Sequence, residues 1–382
     1  MNGAHAKQKV SQKLPAMIDR TEVIPPGSTI GILGGGQLGR MTSLAAARLG
    51  YCCHIFAPDE NNPASQVAAK ITTAEYNDTA ALDSFADQVD VVTLEFENVP
   101  RESLEHLAES VPVRPSAATL SVAQNRLVEK NYLRSIDVAT ANFADVRDLA
   151  TLSSAINTLG HDCVLKSASF GYDGKGQVTL DAQTDLACAR ETMDSEQGIL
   201  EARIDFASEV SVIVARNVAG ATAIYGPVEN KHINHILDTT IAPARLPENV
   251  AADAEAIAKH IVEQLQVVGL LAVEMFVTGD GKILVNEIAP RPHNSGHWTI
   301  DACQTSQFEQ LVRAITGLPL GSTERRADAI MKNLIGSDVE AWPSLAEDPN
   351  VRLHLYGKTE ARPGRKMGHV TRLFPIGATP DA

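Results

Sequence analysis

The chain has 382 residues, 44% of them hydrophobic, a formal charge of −14 and no long apolar run. The length implies two or three domains with ample core, and the missing apolar run excludes a membrane-spanning helix. The acidic balance argues against a nucleic-acid-binding surface but permits a local basic pocket for phosphate.

Residues 1–28 carry Lys7, Lys9 and Lys13 without an apolar signal core and read as a disordered or loosely attached leader. Five cysteines without a C-x-x-C pair read as reduced thiols, so a cytoplasmic protein is expected. Thr29–Leu33 reads as a strand, Gly34–Gly39 as a tight turn, Arg40–Leu49 as a helix closed by Gly50, and Tyr51–Phe56 as a second strand. Leu82–Asp87 reads as a helix and Val89–Phe96 as a strand, an alternation that describes a parallel α/β domain. Gly34-Gly-Gly-Gln-Leu-Gly39 fits the dinucleotide pattern G-x-G-x-x-G, with Asp59 as the acid further on. Asp59 lies beyond Pro58 rather than at a strand end, so the favoured reading is an anion-binding turn at a helix N-terminus. Glu95 and Glu97 close the Val89–Phe96 strand on one face, either as ligand contacts or as solvated loop acids.

Ala117–Ile136 is expected to form one or two helices, with Arg126 and Lys130 on one face at i, i+4. Strand Cys163–Ala168 carries Lys166 near its end. Phe170-Gly-Tyr-Asp-Gly-Lys-Gly176 follows as a phosphate cover or a plain hairpin turn, ahead of strand Gln177–Leu180. Strands Gly198–Arg203 and Glu209–Arg216, the segment Ala221–His232 and helix Ala251–Leu265 come next. His232 and His235 lack the partners that a zinc site needs. A weak helix around Phe308–Ile315, a β-like run Val351–Tyr356 and the basic cluster Lys358, Arg362, Arg365, Lys366 complete the chain.

Leu271–Val277 and Lys282–Ile288 read as strands joined by a two-residue turn at Asp280-Gly281. That turn sets Glu274 opposite Glu287 on one face. Two carboxylates so placed repel unless a cation lies between them, one is protonated, or both splay into solvent. A divalent oxygen-preferring cation is one remedy. If the pair is bare, Glu287→Gln preserves or improves folding.

Together Gly34–Met41, Glu95–Pro100, Gly171–Gln177, Asn286–Thr299 and Tyr356–His369 resemble the ATP-grasp superfamily. Within it they resemble the N5-carboxyaminoimidazole ribonucleotide synthetase family, whose pattern Asn286-Glu-Ile-Ala-Pro-Arg-Pro-His-Asn-Ser-Gly-His297 and Arg362-Pro-Gly-Arg-Lys-Met-Gly-His369 follow. The likeness spans about residues 29–375. Asn125, where an Asp is usual, and Lys231–His235 depart from that pattern.

The resemblance implies an α/β ATP-grasp fold with an N-terminal Rossmann-like parallel α/β domain, a small glycine-rich lid subdomain and a C-terminal α+β domain. The implied units are leader 1–28, Rossmann-like domain 29–122, small lobe with flap 123–199, large lobe with metal site 200–320, and C-terminal region 321–382 with the basic cluster. It implies a ligase of purine biosynthesis that phosphorylates bicarbonate with ATP and passes the carboxyl group to the amine of aminoimidazole ribonucleotide. ATP would contact Arg126, Lys166, Gly171, Tyr172, Asp173, Gly174, Lys175, Gly176, Gln177, Glu201, Ala202, Arg203, Ile204, Glu209, His232, Asn286 and Glu287. Glu274 and Glu287 would hold one or two Mg²⁺, with Mn²⁺ as an alternative. The ribonucleotide would meet Gln37, Leu38, Glu97 (or Glu95), Asp173, Lys175, Arg291, His293, Asn294, Ser295, Lys358 and Arg365. Arg291, Tyr172 and Asn294 would serve the chemistry, in a homodimer that needs no nucleic acid or membrane.

Overall fold

The protein is represented by a computed structural model that describes residues 23–169, 176–193 and 195–378. Strands Lys70–Thr73, Cys52–Ala57, Thr29–Leu33 and Val91–Leu94 lie side by side in that order, all parallel. Ile30, Ile32, Leu33, Ile55, Phe56 and Leu94 are almost fully buried, as strands covered on both faces require. The chain leaves Thr29–Leu33 toward Cys52–Ala57 on one side and returns as Val91–Leu94 on the other. Ligands bind in the crevice that such a reversal opens at the carboxyl ends of the strands, where Gly34–Gly39, Glu95 and Glu97 sit.

Val23–Ser28, expected in the loose leader, are instead fastened to the domain. The Ile24 N–H donates to Thr316 O at 2.8 Å, and the Tyr51 hydroxyl donates to Ile24 O at 2.7 Å.

A second, antiparallel sheet holds Phe143–Val146, Gly198–Ala202, Cys163–Ser167 and Gln177–Leu180, in that order. The expected boundary at residue 199 therefore cuts a strand, and the small lobe extends to Ala202. The third sheet has eight antiparallel strands in the order Ile283–Ala289, Gly269–Val277, Ser208–Arg216, Thr222–Ile233, Ile236–Ala242, Asp328–Ile335, Lys366–Phe374 and Val351–Leu355. The last three come from the expected C-terminal region. They are no separate layer, because backbone pairing of Ile236–Ala242 with Asp328–Ile335 makes them a continuation of the large lobe. His354 Nε2 to Asp301 at 2.8 Å pins this extension to the 294–302 segment, while Tyr356 Oη to His369 Nδ1, also 2.8 Å, is a bond within the extension.

The Glu274–Glu287 pairing is present, but the turn that produces it differs from expectation. Thr278 and Lys282 flank three residues, with Gly281 at φ +83° and its N–H on Thr278 O. From that turn alone Glu274 would face Asn286. One residue is then extruded, because Met275 pairs with Val285 while Glu274 pairs with Glu287. Asn286 is that extra residue. A bulge of this kind re-aims side chains beside a site, and Asn286 and Glu287, adjacent in sequence, both line the same cavity.

Candidate active site

A cavity of about 910 Å³ opens where the three sheets meet. Its wall includes Gln37, Leu38, Glu97, Arg126, Lys166, Gln177, Glu201, Ala202, Arg203, Ile204, Glu209, His232, Glu274, Asn286, Glu287, Arg291, His293 and Asn294. Most of the expected contacts therefore converge. Gly171, Tyr172, Asp173, Gly174 and Lys175 lie outside the described residues, and Gly176 is described but is not on the wall. Ser295 is buried behind it. Lys358 and Arg365 are also off the wall. Lys358 Nζ donates to Lys366 O at 2.7 Å and Arg365 Nη1 to Glu360 O at 2.9 Å, while Lys366 does reach the cavity.

Helix Arg126–Ser135 arms one side of the cavity. Asn125 caps it by accepting from the N–H groups of Leu127 and Val128, so the departure from Asp keeps the capping chemistry. One face then presents three charged residues. Arg126 Nη1 lies 2.8 Å from Glu287 Oε2, and Lys130 Nζ lies 3.1 Å from Glu201 Oε1. Glu129 accepts the Ile288 N–H at 2.5 Å. Lys166 reaches the other oxygen of Glu201 at 2.5 Å, so Glu201 is clamped between two lysines. Burial works against the Glu201 anion, but Lys166 and then Lys130 outweigh it and hold the carboxyl at about 2. The resemblance implies ATP contacts at Glu201, Ala202, Arg203 and Ile204, and all four line the cavity. The Glu201 carboxylate holds Lys166 on the wall and Lys130, buried behind it, together.

The metal candidates are likewise partnered. Burial opposes the Glu287 carboxylate, but the Arg126 guanidinium prevails and holds the carboxyl well below the usual range. Glu274 Oε1 lies 3.1 Å from His293 Nε2. The pair is therefore not bare, and removing the Glu287 charge costs Arg126 a partner instead of relieving strain. Among the described residues, no three His, Cys, Asp or Glu side chains form a group that could hold a metal ion by themselves. Two facing carboxylates with adjacent Asn286 still suit Mg²⁺, which binds through one or two carboxylates and completes its shell with water and phosphate.

Glu129, between Arg126 and Lys130, escaped the sequence reading; its helical spacing was the available signal. Burial raises its carboxyl to about 8. Also unanticipated are Phe206 and Phe276, stacked at 4.8 Å on the cavity wall, and His235, whose Nδ1 lies 3.0 Å from Gln177 Nε2. His232 bonds Glu209, which raises its pKa despite the opposing effect of burial.

The glycine turn is filled from within. The Gly36 N–H donates to Glu95 Oε1 at 2.6 Å and the Gly39 N–H to Glu95 Oε2 at 3.4 Å. A Cβ at Gly36 would lie 2.7 Å from Glu95 Oε1, so glycine there makes room for the carboxylate. The chain's own Glu95 carboxyl occupies the place expected for an anion at this helix N-terminus and takes the Gly36 and Gly39 N–H groups that a dinucleotide pyrophosphate would use. Glu97 instead lies 3.1 Å from Arg291 Nε.

The ATP-grasp domain family matches residues 131–308. The ribonucleotide synthetase preATP-grasp domain matches 27–124, and the phosphoribosylaminoimidazole carboxylase C-terminal domain 329–375. An N5-carboxyaminoimidazole ribonucleotide synthase from Brucella melitensis is 47% identical, over 94% of this chain and 99% of its own length. The chain belongs to the N5-carboxyaminoimidazole ribonucleotide synthase family. A bifunctional purine synthesis protein of Dictyostelium discoideum is 49% identical over 92% of this chain, which spans only 37% of that longer protein. A synthetase of this family solved as an ADP complex superposes with a TM-score of 0.90 at 45% identity, covering 92% of this chain and 94% of its own. The family's Aspergillus clavatus synthase, solved with ADP and 5-aminoimidazole ribonucleotide, gives 0.86 at 33% identity, covering 91% and 94%. The ATP-grasp fold and the membership of an ATP-dependent ligase family follow. No helix among the described residues is long and apolar enough to cross a membrane.

Proposed function

We propose that this chain uses ATP and bicarbonate to carboxylate the amine of 5-aminoimidazole ribonucleotide. The products would be N5-carboxyaminoimidazole ribonucleotide, ADP and phosphate. The observation carrying this reading is one cavity that joins Lys166, two facing carboxylates and Arg291 in a chain similar to a synthase solved with ADP and the ribonucleotide. Phosphoryl transfer needs positioning and charge neutralisation more than covalent help from the protein. Lys166, Lys130 and Arg126 supply positive charge, and Ala202–Ile204 border the space for the nucleotide base. Glu274, Glu287 and Asn286 would hold Mg²⁺, which when bound neutralises phosphate charge.

Bicarbonate oxygen takes the terminal phosphoryl group, ADP leaves, and carboxyphosphate forms. The amine nitrogen then bonds to the carboxyl carbon as phosphate departs with the C–O electron pair and takes up the proton that the amine loses. Arg291, framed by Pro290 and Pro292, is suited to the anionic intermediate, and Asn294 to a polar contact beside it. Gln37, Leu38 and Glu97 face the ribonucleotide, whose phosphate we assign to Lys358 and Arg365. A cytoplasmic homodimer is the expected setting.

The test is ADP release with Mg-ATP and bicarbonate, with and without the ribonucleotide. Stimulation, with labelled bicarbonate entering an acid-labile product, supports the reading; stimulation by another amine instead would overturn the substrate. Arg365→Ala should raise KM for the ribonucleotide about tenfold with little change in kcat, as loss of a ground-state phosphate contact does. An unchanged KM moves the phosphate elsewhere on the basic segment.

A further inference from the structure

Behind Glu274 a row of buried polar side chains crosses the large sheet. Thr240 and Asn230 are cross-strand partners, and so are Ser211 and Glu274. The hydroxyl of Thr240 donates to Asn230 Oδ1 at 3.0 Å, and Asn230 Nδ2 to Ser211 Oγ at 2.9 Å. Ser211 Oγ donates to Ser295 Oγ at 2.7 Å, and Ser295 Oγ lies 2.8 Å from His293 Nδ1. The far ring nitrogen, Nε2, is the one beside Glu274. Thr240, Asn230, Ser211 and Ser295 are each at most 6% exposed, so solvent does not compete for these bonds.

The polarity of the row follows from one obligate donor. The Ser295 backbone N–H points to His293 Nδ1 at 3.3 Å. A backbone N–H can only donate, so Nδ1 must accept and the ring proton of neutral His293 resides on Nε2. Ser295 Oγ must then also donate to Nδ1, which leaves it to accept from Ser211, and Ser211 to accept from the Asn230 amide. Thr240 fixes that amide by donating to its oxygen. Every bond agrees with the anchor.

We infer that Thr240, Asn230, Ser211 and Ser295 are positioning residues that lock His293 as the Nε2–H tautomer, making it a hydrogen-bond donor toward Glu274 and the cavity. His293 so held is not the base that accepts a proton from the substrate amine at Nε2. It fixes one oxygen of Glu274 and leaves the other free. Partners one bond removed from a metal ligand commonly matter about 10- to 100-fold in activity. Only the kinetic consequence rests on the proposed carboxylation.

The first measurement is the ring ¹⁵N spectrum of His293 in the ¹⁵N-histidine-labelled full chain without substrates, assigned by its loss in His293→Gln. An Nε2–H signature is expected; an Nδ1–H signature overturns the inference whatever the enzyme does. Ser211→Ala frees Ser295 Oγ to accept from the ring, and the shape-conserving Thr240→Val frees the Asn230 amide to turn. The 3.3 Å backbone N–H left on Nδ1 is too long to hold the proton alone, so both variants should mix the tautomers. In Ser211→Ala kcat should fall about tenfold with KM for ATP held. Unchanged tautomer and kcat in both variants, or loss of kcat with the tautomer intact, would each overturn the positioning role. Should the chain prove to carboxylate another amine, the spectrum still decides the tautomer.

Discussion

Glu287→Gln is expected to lower turnover by about three orders of magnitude or more while the chain still folds. The loss follows from the proposed metal site: an amide cannot supply the anionic oxygen that Mg²⁺ requires, and metal-assisted phosphoryl transfer depends on charge neutralisation. Folding should survive because the Arg126–Glu287 pair is only partly shielded. Its side chains are 18% and 37% exposed, so after solvent screening the pair contributes about 1 kcal/mol. Stability should drop slightly, the reverse of what a bare acidic pair would give. Initial-rate assays beside thermal melts decide the matter. Turnover within tenfold of the parent would remove Glu287 from the metal site, and a raised melting temperature would contradict the Arg126 pairing.

Glu201→Gln is expected to show the largest loss of stability, about 3 kcal/mol at neutral pH, since breaking a buried charge cluster strands its remaining members. Here the stranded groups are Lys130, 1% exposed, and Lys166. The sign with pH follows from the depressed carboxyl. Its folded value is near 2 against 4.5 for an ordinary glutamate. Its contribution is therefore complete above about 4.5 and disappears as pH falls toward 2. Denaturant unfolding across that window should find the parent losing its advantage over the variant on the acid side. A constant gap between parent and variant from pH 6 to pH 3 would refute the two-lysine clamp. The variant should also bind ATP more weakly, because Lys166 and Lys130 lose the group that gathers them.

The parallel domain could be read from its alternation of apolar runs and helices, and the Arg291–His297 run put Arg291, His293 and Asn294 on the cavity wall. What escaped the reading shares a physical character. Strand Ile236–Ala242 follows a two-residue turn in which Asn234 and His235 both take positive φ, +49° and +65°. Without a glycine there, nothing in the local pattern marks a hairpin turn. Lys70–Thr73 is short and partly exposed, so its apolar signal is weak. Asp328–Ile335 and Lys366–Phe374 carry charged residues yet are held by long-range backbone pairing, which local pattern does not encode. The partners of Glu95, Glu201 and Glu287 lie 35 to 161 positions away. Residue type announced a charged site, but not which charges would neutralise one another.

The metal-site hairpin behaves like a reading frame. Its turn holds one residue more than a two-residue loop and shifts the ladder by one; Asn286, set aside from the pairing, shifts it back. Either irregularity alone would bring a different residue opposite Glu274, and because side chains alternate across a strand, the wrong set would face the cavity. The two are compensating insertions of opposite effect, neutral only in combination. Hairpins of other lengths can therefore carry the same pair of acids only if turn and bulge change together, so insertions and deletions in this segment should be inherited in pairs.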